Sequence, residues 1–271
     1  MKWFMAGCLT ALVFAPASVF AQHEDIAPYG EGGKIVTGGR IHGSSSPNEY
    51  QQVFGYDFGE EPLDPFVIED PGINNDADVA AAFLSSFGKN PVLPVGAILK
   101  FNILDTMGSK LLFWDGSGAV DFAPAPLSTE LGIKKGSFEA KLSSSAVTGT
   151  TPAIATVDAS GRVHEHLGSI LYQDGDSAPG GPDAPDGIYL FGMSLFLTGG
   201  ASALDPSDPL YIVYLNNVGE TLGDEIEAES IHDLASDWVQ TNLVPEPSSL
   251  AHTGSALLGL IGIARRRQRN G

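Results

Sequence analysis

The chain is expected to fold as a mainly β protein, a jelly-roll-like β-sandwich closed by one amphipathic helix near its end, with a closed barrel as the alternative. Three features carry that expectation. Many short segments have the period-two alternation of a half-buried strand. Gly, Pro, Asp and Asn cluster between them as turns. Apolar residues at helical spacing occur once, late in the chain.

The elements follow in order. Lys34 to Thr37 is one clear strand among glycines at 30, 32, 33, 38 and 39, and Tyr50 to Phe58 alternates with Val53 out of phase. Glu60 to Asp78 is acidic and proline-bearing, which predicts a long surface loop. Ala97 to Leu104 is a strong strand, and Lys110 to Trp114 follows a Gly-containing connection, so Leu99 to Trp114 reads as a hairpin. Phe138–Leu142 and Ala153–Val157 are weaker strands. Arg162 to Gln173 and Gly187 to Thr198 are the two longest candidates, and Leu210 to Leu215, apolar almost throughout, is predicted to be central. The helix spans about Asp224 to Asn242, with acids in its first turns and its Trp238 face on the sandwich.

Both ends look like addresses. Met1-Lys2, the apolar run Trp3 to Phe20 and the small-residue site ending at Ala21 predict a signal peptide over 1–21 that is cut by the export machinery. The last stretch, 244–271, sets Pro245-Glu246-Pro247 before a short apolar run, Ser255 to Ala264, and then Arg265, Arg266, Arg267 and Arg269. The prolines stiffen an exposed segment. The apolar run falls short of the roughly 20 residues that cross a bilayer comfortably, and the arginines favour the cytoplasmic side. The tail resembles the PEP-CTERM sorting domain of Gram-negative bacteria. That resemblance covers about a tenth of the chain. It implies an exosortase as processing partner after the Sec translocon, transient inner-membrane anchoring, cleavage near Pro245-Glu246-Pro247 and release to the cell surface or extracellular matrix. The remaining domain, 22–243, is similar in layout to ectodomains that carry this tail in aquatic bacteria. The matching pieces are His23-Glu-Asp-Ile26, Gly33-Lys-Ile-Val36, Val163-His-Glu-His-Leu167, Gly187-Ile-Tyr-Leu190, Ser207 to Val213 and the helix end at Asn242-Leu243. The likeness implies no particular activity.

The only cysteine, Cys8, lies in the signal peptide, so the domain has no thiol and no disulfide. The whole chain carries a formal charge of −19. Lys2 and the four tail arginines leave with the targeting segments, and nine basic residues then face 33 acids, Glu246 included, a charge of −24. Such a surface repels nucleic acid and anionic lipid and attracts cations.

Within Val163 to Leu167, strand alternation points His164 and His166 the same way and Glu165 the other. Two imidazoles at that spacing suit Zn²⁺, Cu²⁺ or Fe²⁺ if a third ligand joins them; His23, Glu24, Asp25, His42 and His232 are the candidates. His164, His166 and His23 form the expected metal set. The competing reading is a solvated strand face. His23-Glu24-Asp25 would suit copper only if processing left His23 first. The acidic loop Asp174 to Gly187 is a candidate for Ca²⁺, although its spacing departs from the EF-hand pattern; Asp205 to Pro209 reads as a turn. No nucleophile elbow, phosphate loop, His-Glu-x-x-His helix or dinucleotide fingerprint is present. A non-enzymatic binding or structural role on the exported surface is therefore the leading expectation. The alternative is a surface protein binding or cleaving extracellular polysaccharide, with Trp114, Tyr172, Tyr189, Tyr211 and Tyr214 as a stacking platform.

Overall fold

In the computed structural model the described residues are 24–41, 47–60, 63–174, 184–200 and 203–245. The segments expected as signal peptide (1–21) and, from 246, as sorting tail lie outside them, as do His23, His42 and most of the acidic loop (175–183). The chain begins with β1 (Glu24–Glu31), β2 (Lys34–Ile41), β3 (Val53–Asp57), β4 (Val67–Ile68), β5 (Gly72–Asn74) and helix α1 (Ala77–Phe87). It continues through β6 (Ile98–Ile103), β7 (Leu112–Trp114), β8 (Ala123–Pro124), β9 (Thr129–Lys135), β10 (Phe138–Leu142), β11 (Val147–Gly149) and β12 (Ala153–Thr156). It ends with β13 (His164–His166), β14 (Gly168–Gln173), β15 (Gly187–Thr198), β16 (Leu210–Asn216) and helix α2 (Glu225–Asn242). The fold is mainly β, as expected.

Among the described residues three sheets form, ordered β13-β5-β1-β2, β11-β10-β9-β14-β4 and β12-β6-β15-β16-β3. In the largest, β15 pairs with β16 along one edge. Its other edge takes β6 opposite Met193 to Thr198 and β7 opposite Ile188 to Leu190. Leu99 to Trp114 is therefore not a hairpin: both strands line up on the same long neighbour. All seven positions of β16 are buried, because the sheet is covered on both faces. Tyr189, Phe191, Ile212 and Tyr214 enter a core shared with Ile73 and Leu131 of the other two sheets. Ile188, Leu190, Val213 and Leu215 face α2 instead. A strand apolar at every position is what such double coverage demands.

Other segments depart from the sequence reading for physical reasons. The acidic stretch expected as a surface loop contains β4 and β5, and Phe66, Ile68 and Ile73 carry it into the core. The helix α1 was not expected; its packed face is the short stripe Val79, Phe83 and Phe87 with Ala80. Asp76 caps it by accepting from the Asp78 and Val79 amides, and Phe83 packs edge-on to Tyr29 at 5.6 Å. The long candidate 162–173 breaks at buried Leu167, so β13 joins one sheet and β14 another. β1 extends through a region read as turns and pairs with β2 across Gly32 and Gly33, whose φ of +59° and +85° suits glycine.

The helix α2 lies close to its expected span, opened by a capping box between Asp224 and Glu227. Its buried face is Ala228, His232, Ala235 and Val239. Ile226 and Leu234, which the sequence places at near-helical spacing with Trp238, are 76% and 50% exposed. Two small residues let the helix approach the sheet closely, and they bring a histidine with them. Trp238 packs at the flank, 5.6 Å from the Phe122 ring.

Candidate functional site

The expected histidine pair sits at the open edge of the β13-β5-β1-β2 sheet. His164 and His166 are both exposed and share one face, their ring centroids 5.7 Å apart. Glu165 points away and pairs with Lys135 at 2.9 Å. His166 Nδ1 lies 3.0 Å from the Glu69 carbonyl, which can only accept, so Nδ1 is the donor and the neutral ring has its lone pair on Nε2. His164 Nδ1 is 3.2 Å from the Asp76 carboxylate, which favours the same tautomer. A cleft of about 540 Å³, lined in part by Asp76, Asp158, Arg162 and Glu165, opens beside His164.

The neighbouring strands place Asp25 on this face. β13 pairs with β5, His166 opposite Gly72 and His164 opposite Asn74, and β5 pairs with β1. Asn74 Nδ2 donates to Asp25 Oδ2 at 3.0 Å. A Cβ at Gly72 would collide with the Asp25 carboxylate and stand 3.2 Å from His166 Cε1. The glycine therefore lets the acid and the imidazole converge over one point of the sheet. Among the described residues, the pair belongs to no group of three His, Asp or Glu residues whose ligand atoms all lie within 4.8 Å of one another. His23 and His42 fall outside those residues.

His232, another expected partner for the pair, belongs to a different cluster. Asp57, Glu229 and His232 are the one group among the described residues whose His, Asp or Glu ligand atoms all lie within 4.8 Å of one another. Asp57 ends β3, an edge strand paired in parallel with β16, while Glu229 and His232 stand one turn apart on α2. His232 Nδ1 is 3.0 Å from Asp57 Oδ1, and Nε2 donates to the Val213 carbonyl at 3.1 Å. Asp57 and His232 are buried; Glu229 is half-buried. Alternation along β3 sends Phe54 and Tyr56 into the core and turns Val53, Gly55 and Asp57 toward the helix. A Cβ at Gly55 would approach the His232 ring to 2.9 Å, so glycine lets the imidazole lie against the strand.

Burial is the largest influence on Glu229; with the charge and hydrogen bond of Asp57 it pushes that carboxyl up to about 7. Burial alone would pull His232 down, but the Asp57 hydrogen bond and charge, the Val213 carbonyl and Glu229 outweigh it and hold the imidazole above the ordinary histidine range. Sequence reasoning named His232 but neither of its partners. The available hints were Gly55 in an otherwise large-residue strand and the Glu-x-x-His spacing on the late helix.

Four of the five aromatics expected as a stacking platform are core residues: Trp114, Tyr189, Tyr211 and Tyr214 are at most 9% exposed. Tyr172 is half-buried, with Lys141 Nζ 3.8 Å from its ring centroid. Of the acidic calcium candidate, Asp186 is described and caps a turn, accepting from the Gly219 and Thr221 amides at 2.9 and 2.8 Å. Comparison of the chain with protein-family models, with curated proteins and with solved structures gives no match.

Proposed function

We propose that this is an exported protein of the cell surface or extracellular matrix, a jelly-roll-like sandwich delivered by exosortase processing, whose role is non-enzymatic binding of a divalent transition metal through His164 and His166. The observation that carries the metal reading is the state of the two imidazoles: each has Nδ1 engaged by an acceptor, so each turns a lone pair on Nε2 to the same side of the strand. Metal-bound histidines are oriented in this way, by a carbonyl or carboxylate on the other nitrogen. The third position would fall to His23, Asp25 or water. The acidic surface concentrates cations around the site.

Metal analysis of the untagged full-length chain tests this, with zinc titrated into the wild type and a His164→Ala, His166→Ala double variant. The proposal expects weaker zinc binding in the double variant, with the far-ultraviolet spectrum unchanged. Equal binding by the two proteins would remove it. The export half rests on Pro245-Glu246-Pro247 and the arginine cluster, and it expects Pro245→Ala with Pro247→Ala to retain the protein in the inner-membrane fraction. Release of that variant at the normal level would contradict it.

A further inference from the structure

We propose that Asp57, Glu229 and His232 form a second divalent-metal site, set in the seam between α2 and the edge of the largest sheet and distinct from the histidine pair on β13. Three ligand atoms already lie within 4.8 Å of one another, supplied by two elements far apart in the sequence. One imidazole nitrogen with two carboxylates is a mixed set that suits Zn²⁺, Mn²⁺, Fe²⁺ or Co²⁺, whereas Ca²⁺ and Mg²⁺ favour oxygen throughout.

The surroundings are arranged for ligation. The Val213 carbonyl accepts from Nε2, which fixes the ring and directs Nδ1 toward Asp57 and Glu229. A histidine in a metal site is supported by such a backbone contact on its distal nitrogen. Gly55 leaves the space the ring occupies. Two clefts meet the cluster from either side. One of about 550 Å³ is lined by Glu24, Gln51, Glu229, His232 and Asp233 among others, and one of about 870 Å³ includes Asp57, Glu220 and Glu229. Among the described residues neither wall has a lysine or arginine, and together the clefts give an ion a way in and leave room for water to complete its coordination. A metal there would tie α2 to β3 through three bonds.

The two sites differ in chemistry, since the outer pair offers Nε2 and the inner one Nδ1. The test uses the untagged full-length chain bearing His164→Ala and His166→Ala, titrated with Zn²⁺ and Co²⁺. One equivalent should still bind, cobalt should develop a d–d absorption band, and the melting temperature should rise with zinc. Adding Glu229→Gln should weaken binding at least about tenfold, because replacing even a supporting residue of a metal site costs about 10–100-fold. Its metal-free melting temperature should be no lower than that of the parent, which separates lost ligation from lost folding. Gly55→Ala, which presses on the His232 ring while leaving all three ligand residues in place, should also weaken binding. No uptake by the double variant, or equal affinity with and without Glu229→Gln, would overturn the proposal. If Glu229→Gln does not fold, Gly55→Ala decides by the same criterion.

Discussion

The edge of β13 and the seam under α2 both present histidines, yet they hold them by opposite means. On the edge, His164 and His166 are exposed and each touches one acceptor. In the seam, His232 is 6% exposed, both its nitrogens are engaged, and it stands against two carboxylates. Water can solvate the first pair whatever the neighbours do. The second group has little water to fall back on, so the fold depends on its charges being matched. On the proposal, a metal gained or lost at the edge leaves the sheets unchanged, whereas one bound in the seam adds to the stability of the fold.

The largest effect that would break this contrast lies at His232. His232→Ala leaves Asp57 and Glu229 facing each other across a cavity, and we expect a loss of about 3–5 kcal/mol, the usual result of removing one partner from a buried charged pair. Urea unfolding of the metal-free protein measures it. A loss under about 1 kcal/mol would mean that the seam is as solvated as the edge.

A smaller effect concerns pH. Both shifted groups of the seam have folded-state values above their unfolded ones: Glu229 at about 7, and His232 raised against the combined faces of Asp57 from β3, Glu229 from α2 and the Val213 carbonyl from β16. A group shifted this way contributes stability below its unfolded value, and that contribution is lost as pH climbs through the folded one. The metal-free melting temperature should therefore fall as pH rises from about 4.5 through 7, with the His232 contribution fading above its ordinary value of about 6.5. Glu229→Gln should flatten the profile between about 4.5 and 7, because burial and Asp57 raise the Glu229 carboxyl while His232 acts to lower it. A wild-type profile that rises over this range would contradict the assignment.

The smallest effect is at the edge itself. His164→Ala with His166→Ala should change unfolding free energy by no more than about 0.5 kcal/mol, as expected for solvated surface positions. A larger loss would show that the pair holds β13 to β5 and is structural first.

The same contrast explains what could be read from the sequence. The face shared by His164 and His166 follows from the period of a strand, and the span of α2 from its acid-capped start, because both are local properties. The strand β16 was legible from its composition alone. The seam was not, since nothing in the spacing links Asp57 to Glu229 and His232, and a histidine on the buried face made Ile226 and Leu234 look like the packing stripe. The break at Leu167 was hidden by a continuous strand-like pattern, and the pairing of β6 and β7 with β15 by their closeness to each other in the chain. Helix α1 does carry a stripe, Val79, Phe83 and Phe87 at every fourth position, but it is only three turns long and follows an acidic, proline-bearing stretch that reads as loop. Long-range pairing decides each of these, and a single local pattern does not encode it.

The central claim is that one protein holds two kinds of histidine site, bound through different ring nitrogens. Nitrogen-15 correlation spectra of the imidazole rings during a zinc titration test it directly. The account predicts that the Nε2 resonances of His164 and His166 move together, and that His232 moves at Nδ1 while its Nε2–H persists. Saturating zinc that leaves His232 unmoved, or shifts it at Nε2, would contradict the account.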